Sequence, residues 1–225
     1  MEQPDAARST DAQSPFLEAL VADLQPVQRP LTWGWVVLAW SALAGGLLAA
    51  SVLTSGPLRT GALDDLSRAG FALELTLGLA TAVALLAAGL EIDVPGRPSR
   101  TRLLTPGLLL ALAWVGWTLA DHEVIESLEH PEISSVGERS HCFAEGLAMS
   151  LLPGALALWA LRRRAWGASW ASGSLVGMAA GALPATTMQL ACMYAPGHAL
   201  RFHLSPVLIA AGIGAVLAML LVRRS

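Results

Sequence analysis

The side chains of this sequence that could do chemistry are its two cysteines, Cys142 and Cys192, and three histidines near them. His141 directly precedes the first cysteine, and His198 and His203 follow the second within eleven residues. Thiolates and imidazoles together are the ligands that zinc and other borderline or soft metal ions prefer. These five residues are therefore the candidate metal ligands, and a divalent metal ion is the candidate cofactor.

Three interpretations of the two thiols stay open on the sequence alone. In an oxidising compartment they would form a structural disulfide. As a reactive pair they would sense an oxidant or bind a metal ion. As buried cysteines often do, they would otherwise pack as small apolar side chains. The sequence contains no Cys-x-x-Cys motif, so the spacing of the thiols does not choose among these interpretations.

The segments that must position these residues have the composition of membrane helices. Of the 225 residues, 54% are hydrophobic and 14% are charged, which is too apolar for an ordinary soluble domain. The net charge is −3 and the sequence has no basic tract, so direct binding to nucleic acid is not expected. Six apolar segments have about the 20 residues needed to cross a bilayer. They are Leu31–Leu53, Phe71–Leu90, Leu103–Ala120, Phe143–Leu161, Ser169–Ala191 and Leu204–Val222.

We therefore expect an all-α fold, a six-helix transmembrane bundle over residues 31–225 that contacts the lipid bilayer. Its orientation follows from the fourteen basic residues, all of them arginine. With both termini in the cytoplasm, ten arginines lie inside and four outside, in agreement with the positive-inside rule. The cysteines and histidines then fall at or near the outer face of a bacterial inner membrane. The inner arginines are Arg8, Arg29, Arg97, Arg100, Arg102, Arg162, Arg163, Arg164, Arg223 and Arg224; the outer ones are Arg59, Arg68, Arg139 and Arg201.

Small residues recur every four positions in the fourth and fifth apolar segments. Residues four apart share one helix face, where small side chains let two membrane helices approach closely. A short arginine-rich loop joins these two segments, so they are expected to form a hairpin in which the two stripes pack together. Cys142 and Cys192 lie at the outer ends of the stripes and are therefore expected to be neighbours. The stripes are Gly146, Ser150 and Gly154 after the first cysteine, and Gly173, Gly177 and Gly181 before the second.

Two acidic residues, Glu74 and Glu145, lie inside apolar segments. A carboxylate at mid-membrane would indicate an ion path. Both residues, however, are within about two turns of the outer end, where a side chain can reach water. An interfacial position is the expectation for both, and Glu145 is a further candidate ligand beside Cys142.

The N-terminal 30 residues are predicted to be a cytoplasmic tail that contains a short amphipathic helix at 15–25. Its polar side carries Glu18 and Asp23, which anionic lipid would repel. A protein groove with basic flanks is the expected partner, and the protein's own cytoplasmic loops are the alternative. About eleven residues form a marginal helix in isolation, so it needs such a surface. The predicted partner-binding face consists of Phe16, Leu17, Leu20, Val21 and Leu24.

Several motifs, taken in order, resemble a known family. They are "LVADLQPVQRP" at residues 20–30, "LEIDVPGRP" at 90–98, a cysteine after the third loop, an arginine-rich turn after the fourth segment and a cysteine at the end of the fifth. This order is similar to that of the NrsF family of six-span bacterial membrane anti-sigma factors. The resemblance implies that the chain sequesters an extracytoplasmic-function sigma factor and releases it on an envelope signal. It also implies a sensing role for Cys142 and Cys192, linked to metal or oxidative stress.

The signal and the class remain open at this point. The third loop, "DHEVIESLEHPEISSVGERSH", is longer and more acidic than the resemblance leads one to expect. The light-responsive CarR-type anti-sigma factors are a related possibility, so metal, oxidant and light are all candidate signals. A small transporter or metal-efflux component is the alternative function. No catalytic residues are predicted and an enzyme is not expected, because a thiol oxidoreductase would want a second cysteine pair for relay.

Overall fold

A computed structural model describes residues 22, 33–55, 62–96, 99–128, 141–164, 168–192 and 198–222. This described part consists of helices and short turns and contains no β-strand, as expected for an all-α fold. A short helix, Ala62–Asp65, precedes the second long helix, and a π-helical segment, Ala199–Leu204, leads directly into the last one. The long helices are α1 (Trp33–Ser55), α2 (Ala69–Glu91), α3 (Arg100–Leu128), α4 (Cys142–Arg164), α5 (Trp170–Met188) and α6 (Ser205–Val222).

These long helices occupy the six predicted apolar segments, but they are not equally suited to cross a membrane. Four stretches combine the necessary length and apolar composition. In α1 a shorter apolar stretch, Gly34–Leu47, is found, and α5 is not among the candidates. Six membrane spans therefore stay a prediction. The four stretches are Ala69–Glu91, Arg100–Ala120, Cys142–Arg163 and Ala199–Leu220.

Helix α5 is the centre of the bundle, which explains its more polar composition. It packs against α2, α4 and α6, and fourteen of its nineteen residues are buried. Its sequence, WASGSLVGMAAGALPATTM, is rich in glycine, alanine, serine and threonine. Such small side chains allow close helix packing. A helix enclosed by neighbouring helices also does not need the long apolar side chains that a lipid-facing helix needs.

The glycine stripe of α5 packs against α6, so the prediction that it packs against α4 is wrong. A methyl group at Gly177 would collide with the carbonyl oxygen of Ala210, and one at Gly173 would collide with that of Gly214. Gly214 in turn lies against the carbonyl of Gly173, so both helices contribute small residues to this seam. The prediction failed because α6 offers a small-residue face of its own, and sequence adjacency favoured α4.

Contact between α4 and α5 is looser at the predicted stripe. A methyl group at Gly154 of α4 would meet the Ala180 side chain of α5 at an ordinary 3.5 Å. Gly146 of α4 faces Pro206 instead, in the first turn of α6. Helix α4 therefore contacts both α5 and α6.

The outer faces of the described helices are apolar. Large side chains with high exposure include Leu112 of α3, Leu151 of α4, and Leu208 and Val216 of α6. Soluble proteins rarely expose extended apolar surfaces of this kind. The described part is therefore compatible with a membrane protein. All its long helices belong to one compact unit, Leu31–Ser225. The helix predicted at 15–25 lies outside the described residues except for Ala22, which is helical and exposed.

Candidate functional site

The two cysteines are joined by a disulfide bond. Cys142 is the first residue of α4, and Cys192 lies four residues beyond Met188, the last residue of α5. The backbone N–H of Cys192 donates to the Met188 carbonyl at 2.8 Å, which continues the helical turn. Both cysteines are almost completely buried, and their Cα atoms are 7.3 Å apart. The structure thus brings together the two residues that were predicted to sense the signal. Of the three interpretations of the thiols, it agrees with the disulfide.

Two of the three candidate histidines lie beside this disulfide. The Nε2 atom of His198 is 3.1 Å from the Sγ atom of Cys192. The ring of His203 meets the ring of His198 edge-on, with centroids 5.2 Å apart. Both histidines are more than nine-tenths buried. One ligand atom from each of Cys142, Cys192, His198 and His203 lies within 4.8 Å of the others. His141 is exposed and is not part of this group, nor is Glu145.

The π-helical segment explains why the two histidines meet. In an α-helix, residues five apart point about 140° away from each other around the axis. In a π-helix, hydrogen bonds join residues five apart, so His198 and His203 come to lie above one another. Pro206 lies two residues after this segment. It cannot donate to the carbonyl of Phe202, and its ring would collide with that carbonyl in a regular α-helix. A wider turn before the proline relieves this conflict.

The disulfide determines what this cluster can do chemically in the described state. Both sulfur atoms are used in the S–S bond, so neither is a thiolate that could bind a metal ion strongly. The cluster is therefore a buried redox pair flanked by two imidazoles. We refer to Cys142, Cys192, His198 and His203 as the thiol–imidazole cluster.

A buried polar pair that the sequence did not reveal lies three residues before Cys192. The side-chain amide of Gln189 donates to Oε1 of Glu74 at 2.7 Å, and both side chains are buried. The interfacial position of Glu74 in a membrane stays a prediction, but its side chain is enclosed by the bundle and does not reach water. It is instead satisfied by a partner from another helix, as buried polar groups generally are. An amide at the end of an otherwise apolar segment was the signal that could have found it.

The opposite end of α5 carries a polar junction that the sequence also did not reveal. The backbone N–H of Ser169, which precedes α5, donates to Oδ2 of Asp93 at 2.8 Å. Ser169 caps the helix by accepting from the N–H of Ser172 at 3.2 Å. Arg100 lies 3.4 Å from Oδ1 of Asp93. We call Asp93, Arg100, Ser169 and Ser172 the aspartate junction.

Electrostatics favour an ionised Asp93 in this junction. Burial on its own raises the pKa of the carboxyl group. Hydrogen bonds from Ser172 and Ser169, together with the positive charge of Arg100, outweigh burial and hold the pKa below its ordinary value. The junction therefore links α2, α3 and α5 through a carboxylate that is charged at neutral pH.

Comparison with models of known protein families identifies a relationship. The model of the family NrsF, described as negative regulator of sigma F, matches residues 20–223. No curated protein and no solved structure gives a significant match. The matched range contains all six long helices and the thiol–imidazole cluster, and it begins inside the predicted N-terminal helix.

Proposed function

The chain belongs to the NrsF family and is a negative regulator of a sigma factor, and from this premise we propose that it is a membrane-bound anti-sigma factor. It sequesters an extracytoplasmic-function sigma factor at the bacterial inner membrane and releases it on an envelope signal. The single observation that carries this proposal is the family match over residues 20–223. It acts by binding, without catalysis.

The membrane part of the proposal is supported by the outer surface of the bundle. Four stretches are long and apolar enough to span, and large apolar side chains cover the outside of the helices. With the arginine distribution, this favours six spans with both termini in the cytoplasm. The thiol–imidazole cluster then lies toward the periplasm. Reporter fusions after Ser225 and within residues 121–141 should give cytoplasmic and periplasmic signals, respectively; a periplasmic C-terminus would overturn the orientation.

The sigma-factor contact in this proposal is the apolar face of the N-terminal segment. Its acidic polar side is complementary to a groove with basic flanks, and a helix this short gains stability by binding. The sigma factor would thereby be held close to the inner membrane surface. The contact residues are Phe16, Leu17, Leu20, Val21 and Leu24.

The signal in this proposal acts through Cys142 and Cys192. Their bond closes a loop of 50 residues between α4 and the end of α5, so opening it removes a constraint on two helices at once. Because the periplasm is oxidising, the disulfide-bonded form corresponds to the protein in the absence of a signal, and this form holds the sigma factor. Opening the bond then favours release.

The experiment that tests the proposal is co-purification of a sigma factor with the full-length chain, extracted in mild detergent with a C-terminal tag. The probe is the extracytoplasmic-function sigma factor encoded nearest to this chain's gene. Leu20→Asp should reduce recovery of the sigma factor at least tenfold, because about 1.4 kcal/mol already changes affinity tenfold. Ala22→Asp is the matched control, since position 22 is exposed and lies on the opposite face of a helix from position 20.

The outcomes separate the two parts of the proposal. If the wild-type chain recovers no sigma factor, the anti-sigma function is wrong. If Leu20→Asp and Ala22→Asp recover as much as the wild type, the N-terminal segment is not the contact, although the chain still binds its partner.

A further inference from the structure

We propose that the thiol–imidazole cluster has two forms, a disulfide and a metal centre. When the disulfide is reduced, Cys142, Cys192, His198 and His203 bind one tetrahedral divalent ion of the zinc class. Metal binding at this cluster does not depend on the function proposed above. Only the effect of the cluster on sigma-factor release rests on that function.

The distances within the cluster fit this proposal after a small adjustment. Zinc bonds of about 2.3 Å to sulfur and 2.0–2.1 Å to nitrogen place tetrahedral ligand atoms about 3.3–3.8 Å apart. The four ligand atoms already lie within 4.8 Å of one another. The widest separations among them must therefore shrink by about 1 Å, and the two sulfur atoms must separate.

The backbone leaves room for that separation. The cysteine Cα atoms are 7.3 Å apart, beyond the 4.4–6.8 Å that most disulfides span. An ion can therefore be placed between the sulfur atoms without first pushing the two helices apart. His198 is already in contact with one sulfur, with its Nε2 atom 3.1 Å from Cys192 Sγ.

The donor set and its burial favour a closed site. Two thiolates and two imidazoles form the Cys₂His₂ set that holds structural zinc, and the four residues between His198 and His203 fall within the usual histidine spacing of such sites. All four residues are at least nine-tenths buried. No ligand position is thus left for water, as expected for a regulatory or structural ion rather than a catalytic one.

Charge balance also favours a divalent ion in this buried position. Two thiolates carry two negative charges, which neutralise the ion, while both histidines bind in the neutral form. The loaded site has no net charge and avoids the large cost of burying one. Two separate thiolates without the ion would be far less favourable there.

The change between the two forms balances chemically. A dithiol reductant gives two electrons and two protons to the Cys142–Cys192 bond, and the reductant becomes a disulfide. The S–S bond breaks and two thiols form. Binding of the ion then displaces both thiol protons into the solvent. The disulfide form has no thiols to give up, so the same ion should bind to the reduced chain alone.

The experiment uses the full-length chain in detergent, oxidised or reduced, with the reductant removed under anaerobic conditions. The probe is Co²⁺, which shows strong visible bands in a tetrahedral site with sulfur ligands, and Zn²⁺ is added afterwards to displace it. The reduced chain should bind one Co²⁺, and the oxidised chain should show no such bands. His198→Asn and His203→Asn should each weaken binding at least tenfold. His141→Asn is the matched control, since His141 adjoins Cys142 but is exposed, and it should not change the affinity.

A second measurement in membranes guards against loss of the fold in detergent. Zn²⁺ should slow the alkylation of both reduced cysteines by a maleimide at least tenfold in the wild type and in His141→Asn, but not in His203→Asn. Equal binding to oxidised and reduced chains would overturn the proposal. The proposal would also be overturned if Zn²⁺ still protected the cysteines from alkylation in both His198→Asn and His203→Asn. Loss of this protection in His141→Asn to the same extent would overturn it too. None of these outcomes depends on a sigma factor, so the proposed function is tested separately.

Discussion

The two ends of α5 are held in place by different chemistry. At its N-terminal end, Asp93 accepts the Ser169 N–H at 2.8 Å and faces Arg100. At its C-terminal end, Cys192 is covalently bonded to Cys142 and Gln189 donates to Glu74. The nineteen residues of α5 place these ends about 28 Å apart at 1.5 Å per residue.

The two ends of α5 respond differently to a change of redox conditions. The aspartate junction consists of hydrogen bonds and an ion pair, which a change of redox conditions does not alter. The thiol–imidazole cluster contains a bond that a reductant opens. Because α5 packs against α2, α4 and α6, a helix fixed at one end and releasable at the other can pass a change to most of the bundle.

The largest expected effect comes from disrupting the close packing of α5 against α6, midway between the two ends of α5. Gly177→Leu places a side chain where even a methyl group would collide with the Ala210 carbonyl. Overpacking against backbone exceeds the usual 1–3 kcal/mol, and we expect a loss of about 4 kcal/mol or more. Gly212→Leu is the matched control in α6, because a methyl group there meets nothing within 4 Å.

The measurement is accumulation and thermal unfolding of the two leucine variants in membranes and in detergent. Gly177→Leu should accumulate poorly and release the sigma factor without a signal, while Gly212→Leu should behave as the wild type. Equal behaviour of the two variants would mean that α5 and α6 do not pack as described.

Opening the disulfide should have the next largest effect. A disulfide that closes a 50-residue loop typically contributes about 2–4 kcal/mol. Reduction of the wild-type chain should therefore lower its unfolding temperature in detergent, and the double variant Cys142→Ser/Cys192→Ser should match the reduced protein. The double variant serves as its own control, since adding reductant to it should change nothing. A wild-type chain whose unfolding ignores reductant would contradict the covalent link.

Weakening the aspartate junction should have a smaller, pH-dependent effect. Asp93→Asn removes a charged hydrogen-bond acceptor, and we expect a loss of about 1–2 kcal/mol near neutral pH. The folded protein lowers the pKa of Asp93 from its ordinary value of 3.8. Its contribution is therefore present above pH 3.8 and is lost as the pH falls through the lower folded value.

The difference between wild type and Asp93→Asn should shrink accordingly in denaturant titrations below pH 3.8. Asp64→Asn, at an exposed position, is the control and should have little effect at any pH. If the Asp93→Asn deficit stayed constant down to the lowest pH, an ionised carboxylate would not be the stabilising group.

The smallest effect should come from Glu74→Gln. The new amide oxygen can still accept from Gln189, so the loss should stay below about 1 kcal/mol. Glu74→Ala removes the acceptor and should cost more, because it leaves the Gln189 amide without its present partner at 2.7 Å. Comparing the unfolding of the two variants in detergent checks this order, and a Glu74→Gln variant as unstable as Glu74→Ala would indicate that the carboxyl group has a further role.

The sequence allowed the long helices and the meeting of the two cysteines to be predicted. Apolar runs of sufficient length mark the helices, and helix geometry placed Cys142 and Cys192 at a similar depth. The sequence did not predict which distant segments contact each other. Nothing in the sequence pattern pairs Glu74 with Gln189, which is 115 residues away. The glycine stripe of α5 was real, but periodicity alone cannot say which neighbouring small-residue face receives it.

Local backbone irregularity was the other limit. His198 and His203 lie on different faces of a regular α-helix, so their spacing did not predict that the rings meet. The π-helical segment Ala199–Leu204 brings them together. Pro206 indicated a disturbance of the helix, although its form depends on how α4 and α5 pack around it. The helix at 15–25 lies outside the described residues apart from Ala22, so its role in binding stays a prediction.

The most direct test of the account is whether the state of the thiol–imidazole cluster controls the hold on a sigma factor. The full-length chain, in membrane vesicles that expose its cytoplasmic face, is loaded with the sigma factor, then kept oxidised or reduced with a metal chelator present and sedimented. We expect the oxidised vesicles to retain the sigma factor and the reduced vesicles to lose at least nine-tenths of it, corresponding to about 1.4 kcal/mol or more. Retention that is the same in both states, or absent from the oxidised vesicles, would contradict it.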